Sequence, residues 1–161
     1  MKKLLIVGCG ITGAYASNLL ARQLPKGWSI GIWEKSRGPG GRLSTSRRNQ
    51  SSVDLGAQYF SLSPKEMEKE RMTYTRLVEH GILTHMDCPI DSDRHEKGTE
   101  HFVALSGASS IVKYFLTSRD LDIAFNKEVN SINILPDSRI KISTLTNETQ
   151  TVDALILTQP A

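Results

Sequence analysis

Near the amino terminus, Gly8-Cys9-Gly10-Ile11-Thr12-Gly13 stands between an apolar run and a helical pattern, and no other feature restricts the fold as much. The run from Lys3 to Val7 stops at glycine and reads as a strand buried on both faces. From Ile11 to Leu24, apolar Ala14, Leu19, Leu20 and Leu24 recur at helical spacing until Pro25 and Gly27 end the pattern. Trp28-Ser29-Ile30-Gly31-Ile32-Trp33 then alternates and stops at Glu34-Lys35. Strand, helix and strand in that order predict a right-handed βαβ unit. Within it the three glycines act differently. Gly8 permits the tight turn, Gly10 lets the backbone approach a pyrophosphate, and Gly13 lets helix pack closely on strand. The helix start, at Ile11 and Thr12, offers free N–H groups and roughly half a positive charge to the phosphates. Glu34, with Lys35 beside it, closes the second strand about 20 residues on, where a carboxylate accepts ribose hydroxyls and disfavours a 2′-phosphate. The loop suits NAD and FAD equally.

Beyond this unit, Ser36 to Ser52 is rich in Gly, Ser, Arg and Asn without sustained period, which predicts a long loop with a short helix after Gly41. Val53 to Phe60 reads as a short extended segment. Pro64 to His80 reads as a charged helix, with Ser63 as N-cap and Gly81 past its end. Ile82 to Phe102 is polar and turn-rich, suggesting irregular strands. A further helix is expected from Ser109 or Ser110 to about Ser118, then a strand over Leu121 to Phe125. Glu128 to Leu135, Arg139 to Leu145 and Thr149 to Leu157 predict a three-stranded meander running into a last buried strand, Ala154 to Thr158.

Composition removes several classes. A chain of 161 residues with 39% apolar and 23% charged side chains is ordinary globular material. The net charge of +3 is mild, and basic residues gather only at Arg37, Arg42, Arg47 and Arg48, without interleaved aromatics, so no nucleic-acid partner is expected. No apolar stretch approaches the roughly 18 residues of a membrane span. Lys2-Lys3 and the following aliphatics imitate a signal peptide, but the run is short and glycine-interrupted. Cys9 and Cys88 make neither a disulfide framework nor a metal-ligand spacing, which fits a reducing, cytoplasmic compartment and leaves secretion open. His80, His85, His95 and His101 likewise lack ligand spacing, so no metal is assigned, and no residue is assigned as general acid or base. Nothing specifies an oligomeric state.

The next motif separates the dinucleotides. Gly38-Pro39-Gly40-Gly41-Arg42-Leu43-Ser44-Thr45 resembles the second motif of flavin amine oxidases, whose glycines bring the chain against the cofactor and whose arginine meets its phosphate side. An arginine suits that position because it stays charged and offers several donors in a planar fork. Asp54-Leu55-Gly56-Ala57-Gln58-Tyr59-Phe60 and the stretch from Phe102 to Lys113 resemble the renalase-like branch of the FAD-dependent amine oxidase superfamily. The resemblance runs over essentially the whole chain. Leu105 stands where a proline is common and Cys9 where alanine is.

That resemblance implies an α/β, Rossmann-like FAD/NAD(P)-binding domain with a parallel sheet and a β-meander crossover. It would comprise residues 1–60 and 102–161, with 61–101 beginning an inserted substrate domain. It implies FAD as cofactor, Gly41 close against it, Arg42 on its phosphate side, Gln58 and Tyr59 beside the flavin, and Val129 at the adenine through backbone contacts. Thr158-Gln159-Pro160-Ala161 resembles the family's strand end close to the cofactor. The implied activity is an oxidase acting on a small molecule, a reduced nicotinamide dinucleotide carrying its hydride at the wrong ring position. Hydride would pass to the flavin, and O2 would reoxidise it to H2O2, leaving NAD(P)+. The alternatives are a flavin amine oxidase for monoamines or polyamines, and a non-enzymatic dinucleotide-binding module. Relatives add a further strand and helix near their carboxyl terminus, so the chain reads as a truncated amino-terminal portion with an incomplete cofactor domain.

Overall fold

The computed structural model describes residues 1–87, 96–117 and 121–159. Along the chain run β1 (Lys2–Val7), α1 (Ile11–Gln23), β2 (Trp28–Glu34), a 3₁₀ turn (Gly41–Leu43), β3 (Thr45–Arg48), β4 (Ser51–Asp54), β5 (Phe60–Leu62) and α2 (Pro64–Glu79). After these come β6 (Leu83–His85), β7 (Glu100–Ala104), α3 (Ser109–Phe115), β8 (Leu121–Phe125), β9 (Val129–Ile134), β10 (Ile140–Thr144), β11 (Thr149–Val152) and β12 (Ala154–Leu157). Two compact units result, one of Met1–Gly41 with Phe115–Ala161 and one of Arg42–Tyr114.

In the first unit, β12-β1-β2-β8 form a wholly parallel sheet. Side chains alternate across a strand, and here both faces are covered. Leu4 and Ile6 of β1 and Ile30 and Ile32 of β2 pack with Ala16, Leu20 and Leu24 of α1 and its end. Leu5, Val7 and Trp33 face the other way, onto Ile142 and Val152 of the meander. The unit is therefore three layers: helix, parallel sheet and antiparallel meander β11-β10-β9. This two-sided burial explains why β1 reads as an unbroken apolar run. It also corrects the alternation expected for β2, whose last five residues are all buried. Gly31 hides the periodicity because it carries no side chain.

The strand after the meander forms, yet β12 lies at the sheet edge and is half-buried rather than buried, with Leu157 50% exposed. Asp153 marks its start, and its side chain accepts the N–H of Lys3 at 2.7 Å. The edge position is what apolar composition alone could not reveal.

The second unit departs further from expectation. Within Ser36 to Ser52, β3 and β4 pair as an antiparallel hairpin across Asn49 and Gln50, with Arg48 opposite Ser51. Asn49 takes the left-handed conformation, φ 55°, that asparagine tolerates in tight turns. Thr, Ser and Arg on β3 and Ser, Asp and a single exposed Val53 on β4 give no apolar alternation, so the hairpin has no hydrophobic signature. The segment Val53 to Phe60 is not one strand either: β4 ends at Asp54 and β5 begins at Phe60. A second antiparallel sheet, β5-β7-β6, follows.

α2 forms as its residues dictate. Ser63 and Glu66 make a reciprocal capping box, Pro64 occupies the first turn, and Gly81 at φ 66° follows the end. α3 starts at Ser109 as expected but stops at Phe115, and Ser118 lies outside the described residues. Cys88 and His95 also lie outside them, as do Pro160 and Ala161. Among the described residues no helix is long and apolar enough to cross a membrane, and no group of His, Cys, Asp and Glu could hold a metal ion.

Candidate dinucleotide-binding site

The end of β1, the start of α1 and the end of β2 converge because the parallel register puts Val7 opposite Trp33. Gly8 leaves the strand at φ 105°, a conformation that favours glycine. At Gly13 the constraint is space: a Cβ there would lie 2.1 Å from the Gly8 carbonyl oxygen, so helix and strand end meet backbone to backbone. Gly10 caps α1 with no side-chain hydrogen bond. The first helical carbonyl acceptor is its own, taken by the N–H of Ala14 at 3.0 Å. The N–H groups of Ile11, Thr12 and Gly13 precede that bond and by helix geometry have no carbonyl behind them. Ile11 and Thr12 are exposed.

Glu34 is 8% exposed, and both carboxylate oxygens accept backbone N–H groups: Oε2 that of Cys9 at 2.7 Å and Oε1 that of Ser36 at 2.8 Å. Its own carbonyl accepts the N–H of Lys127 at 2.9 Å. The acid thus fixes the glycine loop in addition to whatever hydroxyls it meets, and its two carboxylate oxygens retain lone pairs for such donors. Lys35 is exposed just beyond. Cys9 is fully buried, and burial first, then the neighbouring Glu34 charge, pushes its thiol up to about 12. It is a packing thiol at neutral pH, with no nucleophilic role.

The two glycine motifs touch. Gly10 and Gly40 form a parallel bridge, the Gly40 N–H donates to the Cys9 carbonyl at 3.0 Å, and a Cβ on Gly41 would lie 3.3 Å from Gly10 Cα. Around Gly10 itself a Cβ would find nothing nearer than 3.9 Å. An uncapped helix start, an open face at Gly10 and an acid at the end of β2 form the donor and acceptor set that a dinucleotide's pyrophosphate and ribose require.

Thr158 closes the other side of the loop. Its hydroxyl is 3.0 Å from the Val7 carbonyl oxygen and 3.2 Å from that of Gly8, while its N–H donates to Val7 at 2.9 Å. Val129 opens β9 opposite Thr144, and its side chain packs in the core with Leu5 and Val7.

In the second unit, Arg42 is exposed and its carbonyl accepts the Ala57 N–H at 3.3 Å. A Cβ on Gly56 would stand 2.0 Å from that carbonyl oxygen, which makes Gly56 obligatory for the approach. Gln58 and Tyr59 follow, both exposed. What ties the two family-like segments together carries no signal in the sequence. Asp54 Oδ1 accepts the Thr45 hydroxyl at 2.6 Å and the Ala108 N–H at 2.9 Å, and Thr45 Oγ1 accepts the Ser109 N–H at 3.0 Å. Arg47 spans Ser109 Oγ and the Ser106 carbonyl. Gly107, φ 79°, has no room for a side chain beside Thr45 and Asp54.

Loop, acid and parallel sheet together define a Rossmann-like dinucleotide-binding domain. Residues 6–75 match the NAD(P)-binding Rossmann-like domain family, and residues 71–161 match the flavin containing amine oxidoreductase family. The chain belongs to the flavin containing amine oxidoreductase family. It is 34% identical to renalase of Mus musculus over 164 residues, covering all of this chain and 48% of that one. It thus spans about half the length of that curated relative. A putative protoporphyrinogen oxidase from Exiguobacterium sp. 255-15 shares the fold at TM-score 0.73 and 14% identity, over 99% of this chain and 59% of that chain. Tetracycline destructase Tet(51) does so at TM-score 0.60 and 17% identity, over 99% and 39%. The Diels-Alderase PyrE3 of pyrroindomycin biosynthesis matches at TM-score 0.62 and 16% identity, over 99% and 32%.

Proposed function

We propose that the chain binds FAD and forms part of an oxidase for reduced nicotinamide dinucleotides that carry their hydride at the wrong ring position. The observation that carries the cofactor reading is the contact of Gly10 with Gly40 and Gly41 above a buried Glu34 bonded to Cys9. In this reading the loop Gly8, Gly10, Ile11, Thr12 and Gly13 receives the pyrophosphate, with Gly41 close against the cofactor and Arg42 on its phosphate side. Glu34 receives the ribose, Lys35 borders it, Val129 meets the adenine through its backbone, and Gln58 and Tyr59 lie beside the flavin. Bound FAD would supply the redox chemistry, taking a hydride and passing two electrons to O2. Residues 1–60 and 102–161 would be the FAD-binding domain and 61–101 the beginning of the substrate domain. The substrate reading is supported by the 34% identity to renalase. Oxidation of a monoamine or polyamine is the second reading, favoured by the flavin containing amine oxidoreductase match over residues 71–161.

The test is anaerobic mixing of the FAD-loaded chain with each class of reductant while flavin absorbance is followed. Bleaching by the non-standard dihydronicotinamide isomers, with H2O2 released on admitting air, is the expected result. Bleaching by putrescine or benzylamine alone would transfer the assignment to the second reading. Loss of colour with neither would refute both.

A further inference from the structure

Tyr59 is 40% exposed and stands one residue before β5. An exposed tyrosine ring ordinarily samples several staggered positions. This one meets the ring of His101 edge-on, with centroids 6.3 Å apart and planes at 70°. Edge-to-face contact is a preferred aromatic geometry, and it selects among ring orientations. The imidazole is itself held, because Ser61 Oγ lies 2.8 Å from His101 Nδ1. Ser61 and His101 are also register partners across β5 and β7. Opposed residues of an antiparallel pair place their side chains on the same face. The next pair along, Phe60 and Phe102, therefore points to the other face, where Phe102 is 2% exposed. The ladder that buries Phe102 thus also determines where His101 stands.

We propose that His101 is a positioning residue for Tyr59. Ser61 orients the imidazole, the imidazole sets the tilt of the Tyr59 ring, and Tyr59 presents that ring to the flavin. The last link rests on the reading of Tyr59 as a flavin neighbour, whereas the first two rest on contacts inside the Arg42–Tyr114 unit. His101 makes no contact with the reacting atoms in this scheme and moves no proton.

The experiment records aromatic NMR spectra of the chain carrying labelled tyrosine, with the Tyr59 signal assigned from Tyr59→Phe. The variants are His101→Ala, His101→Phe and Ser61→Ala. In His101→Ala the Tyr59 ring signals move towards those of a solvated tyrosine. His101→Phe, which restores a ring, retains their displacement, and Ser61→Ala gives an intermediate position. On addition of FAD, the flavin visible band of His101→Ala is shifted from that of the parent, and His101→Phe brings it back. Tyr59 signals that stay in place in His101→Ala overturn the proposal. Signals that move while the flavin band does not leave the His101–Tyr59 pairing intact and refute the placement of Tyr59 beside the flavin. Should His101→Ala not fold, Ser61→Ala decides, since it keeps both ring-bearing residues and removes only the partner of the imidazole: an unmoved Tyr59 signal there overturns the proposal.

Discussion

The Glu34 carboxylate accepts the backbone N–H of Cys9 at 2.7 Å, so the acid at the end of β2 holds the loop between β1 and α1. Its second oxygen accepts the Ser36 N–H at 2.8 Å. Glutamine at this position would turn one acceptor into a donor facing a backbone N–H. A hydrogen bond to a charged group contributes about 1.5–3 kcal/mol, so Glu34→Gln is expected to weaken FAD binding roughly tenfold or more. Titration calorimetry measures this, and unchanged affinity would show that the loop holds its shape without the carboxylate.

Gly13 tests the backbone contact between helix and strand end. Alanine there would put Cβ 2.1 Å from the Gly8 carbonyl oxygen and 3.1 Å from Thr158 Oγ1. Overpacking of this kind costs about 1–3 kcal/mol. Urea midpoints are expected to fall for Gly13→Ala and to change little for Gly38→Ala, whose Cβ would meet nothing within 4 Å. Equal midpoints would contradict the packing.

Cys9 gives a pH dependence with a definite sign. Its folded thiol is raised from 9.0 to about 12, by burial and then by Glu34. Above the unfolded value the unfolded chain binds fewer protons than the folded one, so stability is full below about pH 9 and falls as pH rises towards about 12. Tyr74, raised by burial, Glu70 and Glu66, acts in the same direction. The difference between parent and Cys9→Ser in urea unfolding at pH 8 and pH 10.5 isolates the thiol. A parallel alkaline loss in both proteins would remove Cys9 as its source.

Asp54 should anchor the hairpin β3–β4 to the start of α3. Asp54→Ala leaves the Thr45 hydroxyl and Ala108 N–H without their acceptor in a part-buried setting, which costs about 1 kcal/mol or more. Asp54→Asn keeps an acceptor and is expected to lose less. Amide exchange at Ala108 and Ser109 reports the change directly, and unaltered protection in Asp54→Ala would contradict the anchoring role.

How far these features were legible depends on which residues carry them. The β1–α1–β2 unit announces itself because Gly8 and Gly13 are required by conformation and close packing, Gly10 between them leaves an open face, and the three stand between a strand-like and a helical apolar run. Helix α2 was equally readable, since Ser63, Pro64 and Glu66 are local signals. The hairpin β3–β4 was not, because its strands are polar apart from the exposed Val53 and it is held by Asp54 and Thr45 rather than by an apolar face. The edge position of β12 depends on which strand it chooses as partner, a long-range fact absent from its four residues. Asp54 and Gly107 stood in separate motifs, and only the folded chain shows why both are needed.

Titration of the chain with FAD, followed by desalting and release of bound flavin by denaturation, tests the central claim most directly. Saturable binding of one FAD per chain, weakened in a folded Glu34→Gln variant, is the result this account predicts. Folded protein that retains no flavin, or that retains as much with Glu34→Gln as without it, would contradict the assignment of the glycine loops and Glu34 as a dinucleotide site.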